Sequence, residues 1–341
     1  MMRYKLLGKS GVRVSELVLG TMTFGEAWGW GAAPEECKRM FDRYAEAGGN
    51  FLDTSVNYTD GQAETILGDL LSADRDHFVV ATKYTLTQRD STDPNAGGNS
   101  RKNMMKSVER SLKRLKTDVI DILYLHVWDY TTPVEEALRG LDDLVRMGKV
   151  NYVAVSDTPA YIIAEANTLA ELRGWSNFVG VQVPYSLANR EIEREVLPMA
   201  KHWGMAVLPF SLIGAGVLTG KYTESSEPTR FSREQMNIPE RTQKIIDEVR
   251  KISEEVGKSR AQVAINWVRQ QQGRAQIIPI LGARTLDQLN DNLAVLDWEL
   301  NADQLKRLDD ASQIDLGFPH SWKGSAFVFG TTYGQIDNHH V

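Results

Sequence analysis

Residues 50–58, Asn-Phe-Leu-Asp-Thr-Ser-Val-Asn-Tyr, are the stretch around which the chain is organised. Phe51 and Leu52 are typical of a buried strand, and Asp53 stands where that strand ends. Tyr58 follows in a polar loop. An acid and a phenol contribute little to a core, but they are suited to donating a proton. This strand end is therefore the first candidate for a functional site.

Two further apolar runs end in a reactive side chain. The first, residues 78–83, ends at Lys83, and the second, residues 122–126, ends at His126. In a sheet of parallel strands, the carboxyl ends of neighbouring strands meet at one edge. Function therefore depends on whether these two residues converge with Asp53 and Tyr58.

The chain alternates between short apolar runs and longer segments whose apolar residues recur at helical spacing. After a predicted β-hairpin at residues 3–16, strands are predicted at 17–20, 51–53, 78–83, 119–125, 152–155, 179–183, 205–208 and 276–280. Helices are predicted at 34–45, 63–71, 104–115, 134–145, 160–172, 192–203, 242–256, 261–271 and from 286 to about 295. Residues 223–237, rich in Ser, Glu, Pro and Thr, are predicted to be irregular.

About eight strand–helix units is the number that closes a parallel (β/α)₈ barrel, the TIM barrel. The alternative is an open doubly wound sheet, but the first strand runs into Gly-Thr-Met-Thr-Phe-Gly at 20–25 rather than G-x-G-x-x-G. We predict a single α/β barrel domain over residues 1–341, with an N-terminal hairpin, long rim loops, a core at about 3–310 and a tail at 311–341.

Composition narrows the class of protein. The formal charge of the 341 residues is −6 and no block of Lys or Arg stands out, so nucleic acid and anionic membranes are not expected as partners. The amino terminus lacks an extended apolar stretch, and no uninterrupted apolar run approaches the roughly 18 residues of a membrane span. One cysteine, Cys37, excludes an intrachain disulfide and fits a reducing compartment, so a cytoplasmic location is expected.

The four polar residues suggest proton transfer to an oxygen atom. A tyrosine has a pKa of about 10, and the ammonium of Lys83, held close, would lower the pKa of Tyr58 and improve it as an acid. Asp53 can fix that ammonium by a charge-assisted hydrogen bond. His126 can orient a carbonyl oxygen towards the phenol. A separate source of hydride is still required for reduction.

Six phrases in the same order carry a resemblance to a known family. They are LGTMTFG at 19–25, FLDT at 51–54, LYLH at 123–126, and the segments 182–190, 211–222 and 278–284. With the four polar residues in place, the chain resembles the aldo-keto reductases from about residue 3 to residue 310. The resemblance implies a (β/α)₈ barrel that binds a nicotinamide dinucleotide across its rim and reduces aldehydes or ketones.

The resemblance also implies roles for individual residues. Tyr58 matches the general acid, Lys83 and Asp53 its supports, and His126 the group that orients the small-molecule carbonyl substrate. Ser156 and Gln182 match the residues that bind the nicotinamide carboxamide, and Tyr185 matches a residue that packs on the ring. The remaining matches to cofactor-binding positions are Gly20, Thr21, Met22, Ser211, Leu212, Gly214, Gly216, Lys221, Gly282, Ala283, Arg284, Gln288 and Asn292.

Arg284 makes NADPH the expected cofactor, with NADH possible but less favoured, because a guanidinium pairs with the oxygens of a 2′-phosphate. Two departures from the family pattern affect cofactor binding. Ser156 is followed by Asp157 where Asn is usual, and a carboxylate accepts hydrogen bonds but cannot donate them. The run 279–282 lacks the lysine that some branches of the family carry, which weakens the argument for NADPH.

Other interpretations remain open at this point. Lys83 could form a Schiff base, as in an aldolase-like barrel, and the chain could be a nucleotide-sensing binding subunit like the potassium-channel β subunits. Trp28, Trp30 and Trp128 follow strands on the rim and are expected to line the substrate cavity. The tail at 318–333 is expected to fold over that cavity. No metal-ligand spacing surrounds His77, His202 or His320, so no metal is expected, and His339 and His340 are expected to be disordered.

Overall fold

The computed structural model describes residues 1–87, 91–222, 238–323, 325–332 and 334. Two short strands, β1 (Tyr4–Leu6) and β2 (Arg13–Ser15), pair antiparallel and form the predicted hairpin. The parallel sheet consists of β3 (Val18–Gly20), β4 (Phe51–Asp53), β5 (Val79–Tyr84), β6 (Ile120–Leu125), β7 (Val150–Ser156), β8 (Phe178–Pro184), β9 (Ala206–Phe210), β10 (Gln276–Ile277) and β11 (Ile280–Gly282).

Helices follow the strands of the sheet along the chain. They are α1 (Pro34–Glu46), α2 (Gln62–Leu71), α3 (Arg101–Leu115), α4 (Val134–Arg146), α5 (Ala160–Arg173), α6 (Val196–Trp203), α7 (Glu240–Val256), α8 (Arg260–Arg269), α9 (Leu286–Leu293), α10 (Ala302–Ser312), α11 (His320–Lys323) and α12 (Ala326–Thr332). None of the helices in the described ranges is both long and apolar enough to cross a membrane.

The eighth strand of the barrel consists of two segments, β10 and β11. They pair with strands at opposite ends of the sheet and thereby close it into a barrel. β10 pairs with β9, and β11 pairs with β3. The partner changes at Ile278 and Pro279: the Ile278 N–H donates to the Val207 carbonyl at 2.9 Å, and the Pro279 carbonyl accepts from Val18 N–H at 2.9 Å. Proline cannot donate to a neighbouring strand, so it stands where the strand leaves one neighbour for the other. The predicted (β/α)₈ barrel is confirmed.

The barrel has two apolar layers. The inner layer fills the barrel and includes the buried residues Val18, Phe51, Ala81, Ile122, Ala154, Ala206, Leu208 and Ile278. The outer layer packs the opposite strand faces against the helices, as expected for parallel strands that are covered on both sides. Since side chains alternate along a strand, each strand contributes to both layers.

One predicted helix differs from the structure, and three helices of the structure, α10, α11 and α12, were not predicted. Residues 192–203 were expected to form one helix, but a 3₁₀ turn at Glu191–Glu193 precedes α6, which begins at Val196. Pro198 explains the late start, because proline is accepted in the first turn of a helix but cannot donate a hydrogen bond within it. α10 was not predicted, although Asn301 and Gln304 form a capping box at its start. The irregular segment predicted at 223–237 lies outside the described residues, as do His339 and His340.

Candidate active site

The four polar residues predicted from the strand ends lie on one rim of the barrel. Asp53 ends β4, Lys83 lies near the end of β5, and His126 directly follows β6. Tyr58 begins a short 3₁₀ turn in the loop after β4. Because the strands are parallel, these positions are all at the carboxyl end of the barrel.

The ammonium of Lys83 is the centre of the cluster. Its Nζ donates to Asp53 Oδ2 at 2.6 Å, to the Thr54 carbonyl at 2.8 Å and to the Tyr58 hydroxyl at 3.0 Å. Lys83 is fully buried, and these three acceptors replace the water it loses on folding. The structure therefore brings the amine, the carboxylate and the phenol into direct contact.

The pKa of Lys83 is raised above its usual value. Burial alone would lower this pKa, but the Asp53 carboxylate and the Tyr58 hydroxyl outweigh burial. Lys83 is thus held as an ammonium, which has no lone pair for attack on a carbonyl. This protonation state argues against the Schiff-base interpretation.

Lys83 acts on the pKa of Tyr58 in the predicted direction, but it does not determine the net shift. Burial raises the pKa of Tyr58, and the ammonium of Lys83 opposes this rise without overcoming it. The phenol therefore keeps its proton at neutral pH. The same ammonium remains beside the oxygen, where it stabilises negative charge as the proton leaves.

His126 stands beside the phenol as a neutral ring. The centroids of the two rings are 6.0 Å apart at an interplanar angle of 78°, and the imidazole is 9% exposed. Burial, together with the nearby Lys83, lowers the pKa of His126 well below its usual value. Its Nδ1 lies 3.2 Å from Ser55 Oγ, which fixes the orientation of the ring. A neutral imidazole can hydrogen-bond an oxygen without transferring a full charge to it.

A partly buried ion pair supports the loop that carries Tyr58. Arg114 of α3 donates to the Val56 carbonyl at 2.8 Å and to Glu64 Oε2 at 3.2 Å. Glu64 is fully buried, and its Oε1 accepts from the Thr82 hydroxyl at 2.7 Å. Thr82 precedes Lys83 on β5. One hydrogen-bond network therefore connects the loop that carries Tyr58 to the strand that carries Lys83. Sequence reasoning missed this network.

The backbone after Tyr58 is left-handed for three residues. Thr59, Asp60 and Gly61 have φ values of 45°, 54° and 93°. A Cβ on Gly61 would lie 2.3 Å from Cζ of Arg114, so this position requires glycine. Such a run persists only where the surrounding contacts impose it, and it is a common feature of functional sites.

Two of the three predicted cavity tryptophans lie at the site. Trp28 contacts the phenol of Tyr58 edge-on, with ring centroids 6.4 Å apart, and Trp30 lies 5.5 Å from Trp28. Their loop is held by Gln62, whose Oε1 accepts from the backbone N–H groups of Glu26 and Ala27. Together, Trp28 and Trp30 form an aromatic wall next to the Tyr58 phenol.

Trp128 has a different environment. It is buried and lines a small apolar cavity with Leu125, Val134 and Ile162, between the barrel wall and the surrounding helices. Its backbone N–H bonds to the carbonyl of Asp157 at 3.4 Å, so the residue itself stands near the rim. The structure thus separates the Trp128 side chain from the Trp28–Trp30 wall.

The residues expected to bind the nicotinamide are joined to the tetrad of Asp53, Tyr58, Lys83 and His126 through Asp53. Ser156 and Gln182 are buried and lie opposite each other on β7 and β8. Gln182 Nε2 donates to Asp53 Oδ1 at 2.8 Å, and the Thr21 hydroxyl donates to the Asp53 carbonyl at 3.0 Å. Asp53 therefore lies between the Lys83–Tyr58 pair and the residues that are predicted to bind the cofactor.

Tyr185 has no exposed ring face in this structure. It is fully buried, its hydroxyl donates to Glu193 Oε1 at 2.6 Å, and its ring lies 5.3 Å from that of Trp267. Phe210, which sequence reasoning missed, ends β9 and is only partly buried. It belongs to the inward-facing row of β9, which the alternation along residues 206–210 could have indicated.

The loop after β9 has the backbone expected of a phosphate-binding segment. Ser211, Gly214, Ala215 and Gly216 have φ values of 57°, 58°, 54° and 92°. Successive residues of this kind turn backbone N–H groups towards one side, where they can bind an anion. A Cβ on Gly216 would lie 2.2 Å from Cε of Lys221, so the amine packs directly against the glycine. Leu212 is buried beneath the loop. These residues fit a dinucleotide phosphate.

The segment after β11 closes the other side of the same rim. Gly282 pairs with Gly20, and the Gly282 carbonyl accepts from Asn292 Nδ2 at 3.1 Å. Arg284 is exposed, and its backbone N–H donates to Gln288 Oε1 at 2.9 Å. The two remaining predicted residues, partly buried Met22 and buried Ala283, lie in the adjoining strand ends.

Comparison with known proteins gives consistent results. The Aldo/keto reductase family matches residues 16–313. Norsolorinic acid reductase of Aspergillus flavus is 34% identical over 92% of this chain and 82% of its own length. An aryl-alcohol dehydrogenase [NADP(+)] of Phanerodontia chrysosporium is 36% identical over 91% of this chain and 86% of its own. An aryl-alcohol dehydrogenase of Pestalotiopsis microspora is 35% identical over 94% of this chain and 85% of its own length.

Proposed function

Because this chain belongs to the aldo/keto reductase family, we propose that it is an NADPH-dependent enzyme that reduces an aldehyde or ketone and, in reverse, oxidises the alcohol. The observation that carries this proposal is the position of Lys83 Nζ, 2.6 Å from Asp53 Oδ2 and 3.0 Å from the Tyr58 hydroxyl. This arrangement holds a protonated phenol next to a fixed positive charge. Its chemistry is protonation of an oxygen on which negative charge develops.

Each residue of the cluster has a separate task in this mechanism. Bound NADPH supplies the hydride. Tyr58 gives its proton to the carbonyl oxygen, and Lys83 stabilises the phenolate that remains. Asp53 keeps Lys83 charged and in place, while neutral His126 orients the carbonyl oxygen towards the phenol. Burial of Lys83 keeps water from weakening these electrostatic interactions.

The predicted cofactor-binding residues suit NADPH better than NADH. The left-handed loop after β9, with Lys221, suits the pyrophosphate, and Arg284 is our candidate for the 2′-phosphate. Partly exposed Phe210 is a better candidate than buried Tyr185 for packing against the nicotinamide ring. Use of NADP(+) by a relative with 36% identity agrees with this proposal. We keep a cytoplasmic location as a prediction.

We further propose an aromatic carbonyl compound as substrate. Trp28 and Trp30 place two aromatic rings beside Tyr58, where a flat, apolar substrate would pack. Two relatives with 35% and 36% identity are named aryl-alcohol dehydrogenases. A panel of aromatic and aliphatic aldehydes, each tested with NADPH and with NADH, examines substrate and cofactor together. Higher kcat/KM for aliphatic than for aromatic aldehydes would contradict the aromatic assignment.

The decisive experiment replaces the proton donor. Tyr58→Phe removes the hydroxyl and keeps the ring, so we expect kcat to fall about 10²–10⁴-fold while nucleotide binding, measured by fluorescence quenching, is retained. Tyr161→Phe, at an exposed position on α5, is the matched control and is expected to retain full turnover. Full turnover by Tyr58→Phe would exclude the assigned role. Nucleotide binding by the parent protein with no turnover of any carbonyl compound would favour a nucleotide-sensing subunit instead.

A further inference from the structure

Asp157 is an acid of the rim that has no part in the proposed proton transfer. Asp157 follows Ser156 at the carboxyl end of β7. Its backbone N–H donates to the Gln182 carbonyl at 3.2 Å, and its carbonyl accepts from the Trp128 N–H at 3.4 Å. These two bonds hold Asp157 between the ends of the strands on either side of β7.

Asp157 makes the site negatively charged. Asp53 and Lys83 form an ion pair at 2.6 Å, and their charges cancel. Tyr58 and His126 are neutral, because burial raises the pKa of the phenol and lowers the pKa of the imidazole. The carboxylate of Asp157 interacts electrostatically with both Lys83 and Tyr58, so its field acts on the reacting atoms.

The two redox forms of a nicotinamide cofactor differ by one charge on the nicotinamide ring. The ring is a cation in NADP⁺ and neutral in NADPH, whereas the carboxamide, the phosphates and the adenosine are the same in both. For hydride transfer, the ring has to lie about 3–3.5 Å from the carbonyl carbon. A carboxylate at this part of the rim therefore distinguishes the two forms, while charges that face the phosphates act equally on both.

We propose that Asp157 sets the redox preference of the bound cofactor, because its carboxylate stabilises the oxidised nicotinamide relative to the reduced one. This inference rests on the proposed function, since it requires a nicotinamide at the tetrad. Tighter binding of NADP⁺ favours the complex from which an alcohol is oxidised. Asp157 is thus a specificity-determining residue for the redox state of the cofactor.

Asp157→Asn removes the charge and keeps the shape of the side chain. Asn tolerates the left-handed backbone at this position, where φ is 39°, as well as Asp does. New hydrogen bonds from the Asn amide to the nicotinamide carboxamide would affect both redox forms equally. The ratio of the two affinities therefore reports only the effect of losing the charge. Glu171→Gln removes a charge of the same sign at an exposed position near the end of α5 and is the matched control.

The test measures the dissociation constants of NADP⁺ and NADPH by titration calorimetry without substrate. The surrounding protein raises the pKa of Asp157 to about 6, so a buffer of about pH 8 keeps the carboxylate ionised. We expect the ratio Kd(NADP⁺)/Kd(NADPH) to rise about 3- to 10-fold in Asp157→Asn and to stay unchanged in Glu171→Gln.

Two outcomes would overturn the inference. If the parent protein binds both nucleotides and the ratio is the same in Asp157→Asn, the assignment to Asp157 is wrong and the proposed function stands. An equal rise in both constants leaves the ratio unchanged, so it belongs to this outcome and would indicate a structural role. If the parent protein binds neither nucleotide, the proposed function fails and this inference fails with it.

Discussion

Burial decides the charge of His126 before any ligand binds. The ring is 9% exposed, and burial together with the nearby Lys83 lowers its pKa well below 6.5. In the unfolded chain, the same imidazole takes up a proton near its ordinary pKa of about 6.5. Below that pH the unfolded chain holds a proton that the folded chain does not, so acid favours unfolding through this residue.

At the residue scale, we therefore predict a contribution of His126 to acid instability. The free energy of unfolding should fall as the pH decreases from about 6.5, and this contribution should level off only below the folded pKa. His126→Gln removes the titrating group, so the slope against pH should become shallower by up to about 1.4 kcal/mol per pH unit. Urea unfolding between about pH 5 and 7 measures both slopes. Identical slopes would contradict a neutral His126.

Helix α3 supports the loop that carries the phenol of Tyr58. Its Arg114 bonds the carbonyl of Val56, two residues before Tyr58, and the carboxylate of Glu64, two residues into α2. The loop between β4 and α2 is thus held from outside the rim. Because the left-handed residues 59–61 are intrinsically unfavourable, the loop depends on this external support.

At the element scale, we predict that Arg114→Lys affects turnover more than cofactor affinity. Lysine keeps the charge but cannot bond both acceptors with the geometry of a guanidinium. We expect kcat to fall about 10-fold or more, since a displacement of roughly 1 Å costs about 10²-fold, while the nucleotide Kd changes less than about 2-fold. Arg110→Lys, where the guanidinium bonds Ser107 of the same helix, is the control and should retain kcat. A parallel loss of kcat and nucleotide affinity would indicate general disruption instead.

The hairpin of β1 and β2 closes the amino-terminal end of the barrel. Leu7 and Val14 are fully buried in the inner apolar layer. The Gly8 N–H donates to Gln276 Oε1 at 2.8 Å, so the hairpin is tied to the strand that completes the sheet. Gly8 has a φ of 56°, and a Cβ there would lie 2.3 Å from the Val179 carbonyl oxygen, so the turn can come this close only with glycine.

At the scale of the whole molecule, we predict that stability and chemistry are separable, because the hairpin and the tetrad lie at opposite ends of the barrel. Leu7→Ala should lower the free energy of unfolding by about 2–5 kcal/mol through loss of buried apolar area and the cavity left behind. Leu6→Ala, at a residue that is 48% exposed, should change it by less than about 1 kcal/mol. Denaturant titrations measure both, and kcat of the folded Leu7→Ala protein should match the parent. A Leu7→Ala protein as stable as the parent would show that the hairpin does not seal the barrel.

The amino-acid sequence determined the barrel and the polar groups that lie on its rim. Periodicity of two and of 3.6 residues is local information, so the strands and helices could be predicted from short stretches. Once eight parallel strands are expected, Asp53, Lys83 and His126 must share a rim, because parallel strands end at the same edge. The capping box at Asn301 is local as well, and α10 could have been predicted from it.

The tertiary structure decided the environment of those groups. The net direction of the Tyr58 pKa depends on how far burial exceeds the effect of Lys83, which is a balance between distant parts of the chain. The burial of Tyr185, the position of Phe210 on the inner face and the support from Arg114 depend likewise on packing between elements. Dehydration and electrostatic interactions are set by which surfaces meet in space. The sequence therefore determines which polar groups share the rim, and the packed fold determines their charges and partners.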